Sequence, residues 1–485
     1  MLINQKNFLH RIIVLLCICA VSIWVAFQVK NFLAMNDMGL AYSTKDVPVI
    51  FMLMIMMILM WVTEIFPLWF TACMPIIVVP LFGLMSVSQL APMYYHEVSF
   101  LFLSGFLMGE VIAQWNLHVW LSRKVLSWTK GHLMGIWMAF VFIAYFLSMW
   151  MANVVAALML MSVSEGLISE LKALVPEERW KSCEAYATTL VLSIAFASSI
   201  GGIATLIGTA PNALLSCFLL DGASPVKVDM LSWFVHVAPL SLILMCALVI
   251  FMYLCYLRFI PHDLRVITLS HKRQPSLTQS QIMVIVVFFL VVCMWMGKQL
   301  LQHVLHLPVV SDAWIGMLGV GLLNLFPSDR VGQSRLMNEE SIRRIPWDIL
   351  ILIGGGMCLA KMMSLFNVDK LMTSLLSQLP LKDPILLIGF AIVFMTIMTE
   401  ITSNTAITMA ALPIFYSLAR VNDVNVLALL VPVTVSASMA FMLPTATPPN
   451  AVAFATGYVS MTRMLKIGGL FKFVAVGICL IYFCF

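Results

Sequence analysis

The chain has 485 residues, of which 62% are hydrophobic and only 10% charged. No water-soluble core could bury so much apolar surface, so this composition excludes a soluble protein and specifies a polytopic membrane protein. The net charge of +5 is modest and resides in loops, which makes no case for nucleic-acid binding. In chain order, residues 12–29 form the first apolar run, after Lys6 and Arg11. No small-x-small cleavage site follows, so the run reads as a retained span rather than a signal peptide. Runs 47–61 and 68–85 are next, joined by Val62-Thr63-Glu64-Ile65-Phe66-Pro67. The proline puts Glu64 near a helix break and favours a helix-end or interfacial carboxylate over a proton relay. Residues 98–121 predict a long helix ending in Trp115-Asn116-Leu117-His118. Two short apolar arms follow, 135–147 and 156–163, on either side of Ser148-Met149-Trp150-Met151-Ala152-Asn153-Val154-Val155. A charged amphipathic stretch, 165–184, is expected in water. Residues 188–220 read as a broken helix, 231–257 as a full span, and 258–280 as a basic loop between halves. Runs 281–297 and 313–326 begin a second series, with a hydrophilic stretch at 328–344. A glycine-rich helix from Trp347 to about residue 366 comes next. Arms 384–398 and 406–418 flank Thr399-Glu400-Ile401-Thr402-Ser403-Asn404-Thr405. A second broken helix, 424–456, and a last span, 467–485, close the chain.

Each arm is too short to cross a bilayer, which takes about 20 apolar residues. Two half-length helices meeting at a polar tip make a re-entrant hairpin. Such a tip survives at membrane depth only where protein or a watery cavity satisfies its backbone. Helix N-termini there suit an anion, and carbonyls freed at the breaks suit a cation.

The plan occurs twice. Gly105 precedes Asn153 by 48 residues and Gly355 precedes Asn404 by 49. Gly201-Gly202-Ile203-Ala204-Thr205-Leu206-Ile207-Gly208-Thr209-Ala210-Pro211-Asn212 finds an echo in Leu443-Pro444-Thr445-Ala446-Thr447-Pro448-Pro449-Asn450. Interrupted apolar segments at matching places in two halves point to a transporter binding site. With the N-terminus inside, 18 Lys and Arg fall in cytoplasmic loops and 7 outside. This excess supports eleven spans and an external C-terminus. An odd number of spans between the copies inverts the second one.

No HExxH, GxSxG, CxxC or Walker-type motif occurs in its proper context, so an intramembrane hydrolase is disfavoured and no enzyme is expected. The eleven cysteines lack metal-ligand spacing and read as packing residues. Lys361 is a candidate intramembrane cation that either snorkels, pairs or serves the site. Asn153 and Asn404 can bridge the two arms of their hairpins and also face a ligand. Neutral donors at four helix ends suit a small hydrated anion whose countercharge is a cation on the freed carbonyls.

Seven stretches together resemble the divalent anion–sodium symporter family, which includes sodium-coupled dicarboxylate, citrate and sulfate transporters. They are Trp61–Pro67, Trp115–His118, Ser148–Trp150, 201–212, 347–356, 399–405 and 438–450. The resemblance implies an all-α polytopic membrane protein of about eleven spans and two re-entrant hairpins in two inverted repeats. It implies a multi-pass elevator-type homodimer in the plasma membrane, in contact with lipid. Scaffold parts are expected at 1–130 and 281–380, transport parts at 131–260 and 381–485, and a cytoplasmic linker at 261–280. The expected cargo is a small divalent anion, a C4 dicarboxylate such as succinate or malate, or citrate. Sodium is the coupling ion, with no other cofactor. Alternatives are a sodium-independent exchanger, a sulfate transporter and an anion channel. Carried over by position, one sodium site uses Ser148, Asn153 and backbone near Gly208. The other uses Thr399, Thr402, Asn404 and backbone near Ala446. Substrate carboxylates are expected on Asn153, Thr209, Asn404, Thr405 and Thr447. The first tip departs from the family's Ser-Asn-Thr, reading Ala152-Asn153-Val154. Two hydroxyls are missing, so weakened sodium coupling is expected there.

Overall fold

A chain inside hydrocarbon must satisfy its own backbone polar groups, and this one does so with helices. The computed structural model describes residues 2–35, 45–175, 180–221, 226–259, 276–304, 310–330, 333–376 and 383–485. Among the described residues there is no β-strand, and Pro327 and Arg335 form an isolated bridge. The first half holds α1 (Leu2–Met35), α2 (Asp46–Thr63), α3 (Leu68–Ala72), α4 (Met74–Leu81), α5 (Val87–Tyr94), α6 (Glu97–Gln114), α7 (Leu117–Thr129), α8 (Leu133–Ser148), α9 (Asn153–Leu174), α10 (Trp180–Ile203), α11 (Ala210–Asp221) and α12 (Met230–Cys255). The second holds α13 (Gln279–Met296), α14 (Lys298–Val304), α15 (Asp312–Leu325), α16 (Glu339–Arg344), α17 (Trp347–Leu365), α18 (Val368–Leu376), α19 (Pro384–Ile401), α20 (Asn404–Val421), α21 (Val426–Ala437), α22 (Pro448–Ala455) and α23 (Met461–Cys484).

The helices α6 to α12 and α17 to α23 repeat one plan, and so do their contacts. In each repeat the first hairpin arm packs on the second and on the first piece of the broken helix: α8 on α9 and α10, α19 on α20 and α21. The second piece of each broken helix crosses to the other repeat, α22 to α9 and α11 to α20. The glycine-rich helices match as well, α6 packing on α15 and α17 on α3. Glycine permits these approaches. A Cβ on Gly355 would lie 2.4 Å from the Ala72 carbonyl oxygen, and one on Gly316 of α15 would lie 2.8 Å from Cβ of Ser104 on α6. Both glycine-rich helices end at an asparagine in the left-handed region, Asn116 (φ 51) and Asn367 (φ 57). Asparagine tolerates that conformation better than bulkier residues do.

Ten helices among the described residues are long and apolar enough to cross a membrane. Eight are expected spans and two are hairpin arms; the remaining expected spans fall in the shorter helices Leu68–Leu81, Asp312–Leu325 and Val426–Ala437. Two expectations need correction. The arms α9 and α19 have 22 and 18 residues and are not half-length. The apolar run of α9 stops early because Ser162, Ser164 and Glu165 interrupt it, yet the helix continues through them to Leu174, taking in half of the stretch expected in water. The helix expected at 98–121 is two helices, divided at Trp115 and Asn116. Most of the expected linker 261–280, together with Arg179, Arg265, Lys272, Arg273 and Lys382 of the charge count, lies outside the described residues.

Candidate functional site

Each hairpin tip is bonded to the break in its own repeat's broken helix. At the first tip, Ser148 Oγ donates to the Ser198 carbonyl at 2.5 Å, and the Thr205 hydroxyl donates to the Met149 carbonyl. Gly208 closes on the same tip: a Cβ there would sit 2.5 Å from the Gly202 oxygen and 2.7 Å from the Ser148 oxygen. Ser148 and Gly208, two of the three expected first-site residues, are therefore together. Asn153, the third, is half-buried and opens α9.

At the second tip, Thr399 Oγ1 lies 2.5 Å from the Ala437 oxygen and 2.6 Å from the Asn404 side-chain oxygen. One proton cannot serve both acceptors. With Thr399 donating to Ala437, the Asn404 amide is turned so that its NH2 group donates to Thr399, an assignment made from the network. Asn404 thus joins the two arms across the tip. Thr402 is buried, and its Oγ1 has no hydrogen-bond partner among the described residues. Ala446 is buried in the break, 4% exposed.

The breaks share one device. Asn212 Nδ2 donates to the carbonyls of Gly202 at 3.2 Å and Thr205 at 2.7 Å. Asn450 Nδ2 donates to Ala440 and Leu443, both at 3.1 Å. In each repeat the acceptors lie ten and seven residues upstream, so each asparagine ties off carbonyls that the broken helix leaves free. Thr209 and Thr447 precede α11 and α22 at matching positions. Thr447 Oγ1 caps α22, accepting from the Asn450 N–H at 3.4 Å, and Thr209 is buried. Thr405 is half-buried in the first turn of α20. All five expected substrate residues therefore lie at the starts of four helices, α9, α11, α20 and α22. Helix N-termini carry about half a positive charge each and present free N–H groups.

Sequence reasoning missed two features. The first is a row of buried hydroxyls beside the breaks. Ser198, Ser199, Ser436 and Ser438 have hydroxyl oxygens without hydrogen-bond partners among the described residues. Their signal was a local run of serine in otherwise apolar helices. The second is a buried ion pair. Glu400 and Lys472 are 7% and 8% exposed, with Nζ 2.8 Å from Oε1. The Glu400 carboxylate also accepts from the N–H groups of Phe441 at 2.9 Å, and of Met442 and Leu443 at 3.2 Å. Glu400 therefore fastens the tip to the second break and to α23. Lys472 meets the second tip through Glu400, and Lys361 lies half-buried within α17.

The Arg463–Glu184 ion pair at 2.7 Å and the Thr188 hydroxyl on the Tyr458 carbonyl at 2.8 Å join the two repeats beside the hairpins. Phe196 of α10, Phe441 of the second break and Phe471 of α23 form an aromatic cluster with centroids 5.0 to 6.0 Å apart.

Comparison with known proteins gives the family. Residues 14–484 match the family described as the sodium:sulfate symporter transmembrane region. The chain is 30% identical over 419 residues to a protein named sodium-dependent dicarboxylate transporter SdcS from Staphylococcus saprophyticus, covering 84% of this chain and 80% of that one. It is 29% identical over 418 residues to the SdcS of Staphylococcus aureus strain USA300, with the same coverage. In fold it is similar to the Alcanivorax borkumensis YdaH transporter, with a TM-score of 0.54 at 11% identity over 82% of this chain and 86% of that one. With nearly its whole length matched and its helices long and apolar enough for many membrane crossings, the chain belongs to the sodium:sulfate symporter family and is an integral membrane transporter, not an enzyme.

Proposed function

We propose that the protein carries small divalent organic anions, C4 dicarboxylates such as succinate or malate, across a membrane in symport with sodium. The observation that carries this reading is the paired architecture of polar tips bonded to broken helices, with Asn153, Thr209, Asn404, Thr405 and Thr447 at four helix starts. Each carboxylate of a dicarboxylate would take N–H and side-chain donors from these helix starts. The names of the staphylococcal relatives favour a dicarboxylate cargo.

Sodium needs several oxygens, and the residues present fit it. Ser148, backbone of Gly208 and the unpartnered Ser198 hydroxyl would hold one ion, with Asn153 completing the set. Thr399, Thr402, Asn404 and backbone near Ala446 would hold the other, and the unpartnered Thr402 hydroxyl supports that assignment. The ion neutralises charge that a dianion would otherwise bring alone into a low-dielectric site.

Residues 131–260 and 381–485 would form a transport part that moves as an elevator. The phenylalanine cluster and the packing of α10 on α22 and α12 on α23 support it, since they bind the two halves of that part together. Residues 1–130 and 281–380 would form the scaffold and hold a homodimer. The lysine and arginine count supports a cytoplasmic N-terminus and an external C-terminus.

The test is uptake of labelled succinate, citrate and sulfate into proteoliposomes, with and without an inward sodium gradient. Saturable, sodium-driven accumulation of succinate is expected. Uptake indifferent to sodium would make the protein an exchanger, and unsaturable flux a channel.

A substitution tests the first tip separately. Ala152→Ser with Val154→Thr returns two hydroxyls to the half-buried start of α9. A hydrogen bond to a charged group contributes about 1.5–3 kcal/mol, roughly tenfold or more in affinity. The double variant is expected to lower the sodium concentration for half-maximal uptake or to steepen its dependence. An unchanged sodium profile would remove the first tip from the account of weak coupling.

A further inference from the structure

Each hairpin tip is touched at the end of a helix from the other half of the chain, α13 at the first tip and α2 at the second, and the two contacts differ in chemistry. At the first tip, the Trp150 ring stacks on Trp295 near the end of α13, with centroids 6.3 Å apart and planes within 4°. That contact is apolar and leaves the charge of the tip unchanged. At the second tip, Glu64 meets the start of α20. It follows α2 in the left-handed region (φ 48), and its carboxylate Oε1 accepts the Ser403 N–H at 3.1 Å. Ser403 is the residue immediately before α20, and α2 packs along α20. The two residues are 339 positions apart in the chain.

We propose that Glu64 is a displaceable plug of the substrate site. Its carboxylate holds the positive end of α20 when no anion is bound and gives way to a carboxylate of the substrate. This rests on the reading above that the second tip binds substrate. Glu64 is exposed and is not enclosed by other side chains, so it can leave this contact, whereas a carboxylate fixed in a packed core could not. The partner it leaves, a backbone N–H at a helix start, is the type of donor that a substrate carboxylate takes up. The neighbouring Thr402 hydroxyl stays unpartnered beside this contact, which leaves it to the second sodium ion rather than to the plug. A second negative charge beside Glu64 is disfavoured, so plug and dianion exclude one another.

The plug competes with substrate, and this sets the sign of the test. Glu64→Gln keeps the size of the side chain and removes the charge. An exposed charged contact is modest in strength, so succinate KM should fall by about two- to fivefold with uptake retained. A purely structural role for Glu64 would leave KM unchanged or raise it, and either result overturns the proposal. A second measurement covers a variant that folds poorly. In Glu64→Cys with Ser403→Cys, oxidative cross-linking of the purified protein is followed by mass spectrometry of the linked peptides. Saturating succinate with sodium should slow the cross-link several-fold, and an unaltered rate overturns the plug. Asn404→Ala separates the two levels. If it abolishes uptake while Glu64→Gln leaves KM alone, the substrate site stands and the plug does not. If Asn404→Ala leaves uptake intact, the reading of the second tip itself has failed.

Discussion

Asn404→Ala is expected to abolish uptake while leaving a protein that still inserts and purifies as a single species. Asn404 opens α20, is buried, and meets the Thr399 hydroxyl at 2.6 Å across the tip. Removing the amide strands a donor or acceptor in a dry environment, which costs about 1–3 kcal/mol per group. The same amide is the expected partner of both a substrate carboxylate and the second sodium ion. Losing all three interactions should lower apparent affinity by well over tenfold. Asn404→Asp sharpens the test. The aspartate has no N–H to give Thr399, whose proton is held by the Ala437 carbonyl, and it places a negative charge at the seat of an anion. It should be as inactive as the alanine variant and melt no higher than it. Uptake assays paired with thermal melts in detergent separate these outcomes. An active Asn404→Asp protein would show that no substrate carboxylate reaches this tip.

The second large effect is expected from the Glu400–Lys472 pair, and it should be lopsided. Removing one partner of a buried ion pair destabilises a protein by about 3–5 kcal/mol, because the other charge is left uncompensated. Glu400→Ala does more than that. It strips Lys472 of its carboxylate and also leaves the N–H groups of Phe441, Met442 and Leu443 without an acceptor. Lys472→Met leaves those three donors on Glu400, so the carboxylate remains hydrogen-bonded. Glu400→Ala should therefore give the larger fall in melting temperature and no uptake. Lys472→Met should retain measurable protein and part of its activity. The reverse order would mean that the backbone donors contribute less to holding Glu400 than the ammonium does.

Much of the architecture was legible in the chain because membrane insertion is governed by local composition. A bilayer tests each segment for apolar length, so spans, loops and the positions of interruption can be read from runs of residues. The doubled plan was legible for the same reason: glycine, asparagine and proline interrupt apolar segments at matching distances in both halves. Their partners agreed with that reading, since Asn212 and Asn450 bind carbonyls at the same two offsets. Helix lengths were less legible. The arm α9 runs through Ser162, Ser164 and Glu165, because a helix bonded to its neighbours does not need an unbroken apolar stretch to continue.

By itself, then, the sequence determined that this is a helical membrane protein with two polar tips and two broken helices, and which asparagines and threonines stand at them. Tertiary structure alone decided which of those groups meet. Glu400 was visible as a charge beside the second tip, but nothing nearby in the chain names Lys472, 72 positions away, as its partner. Glu64 read as a helix-end carboxylate, and only folding brings it to Ser403, 339 residues on. The physical reason is range. Helix formation and insertion depend on residues within a turn or a span, whereas a buried charge is satisfied by whatever group the packed helices bring within about 3 Å.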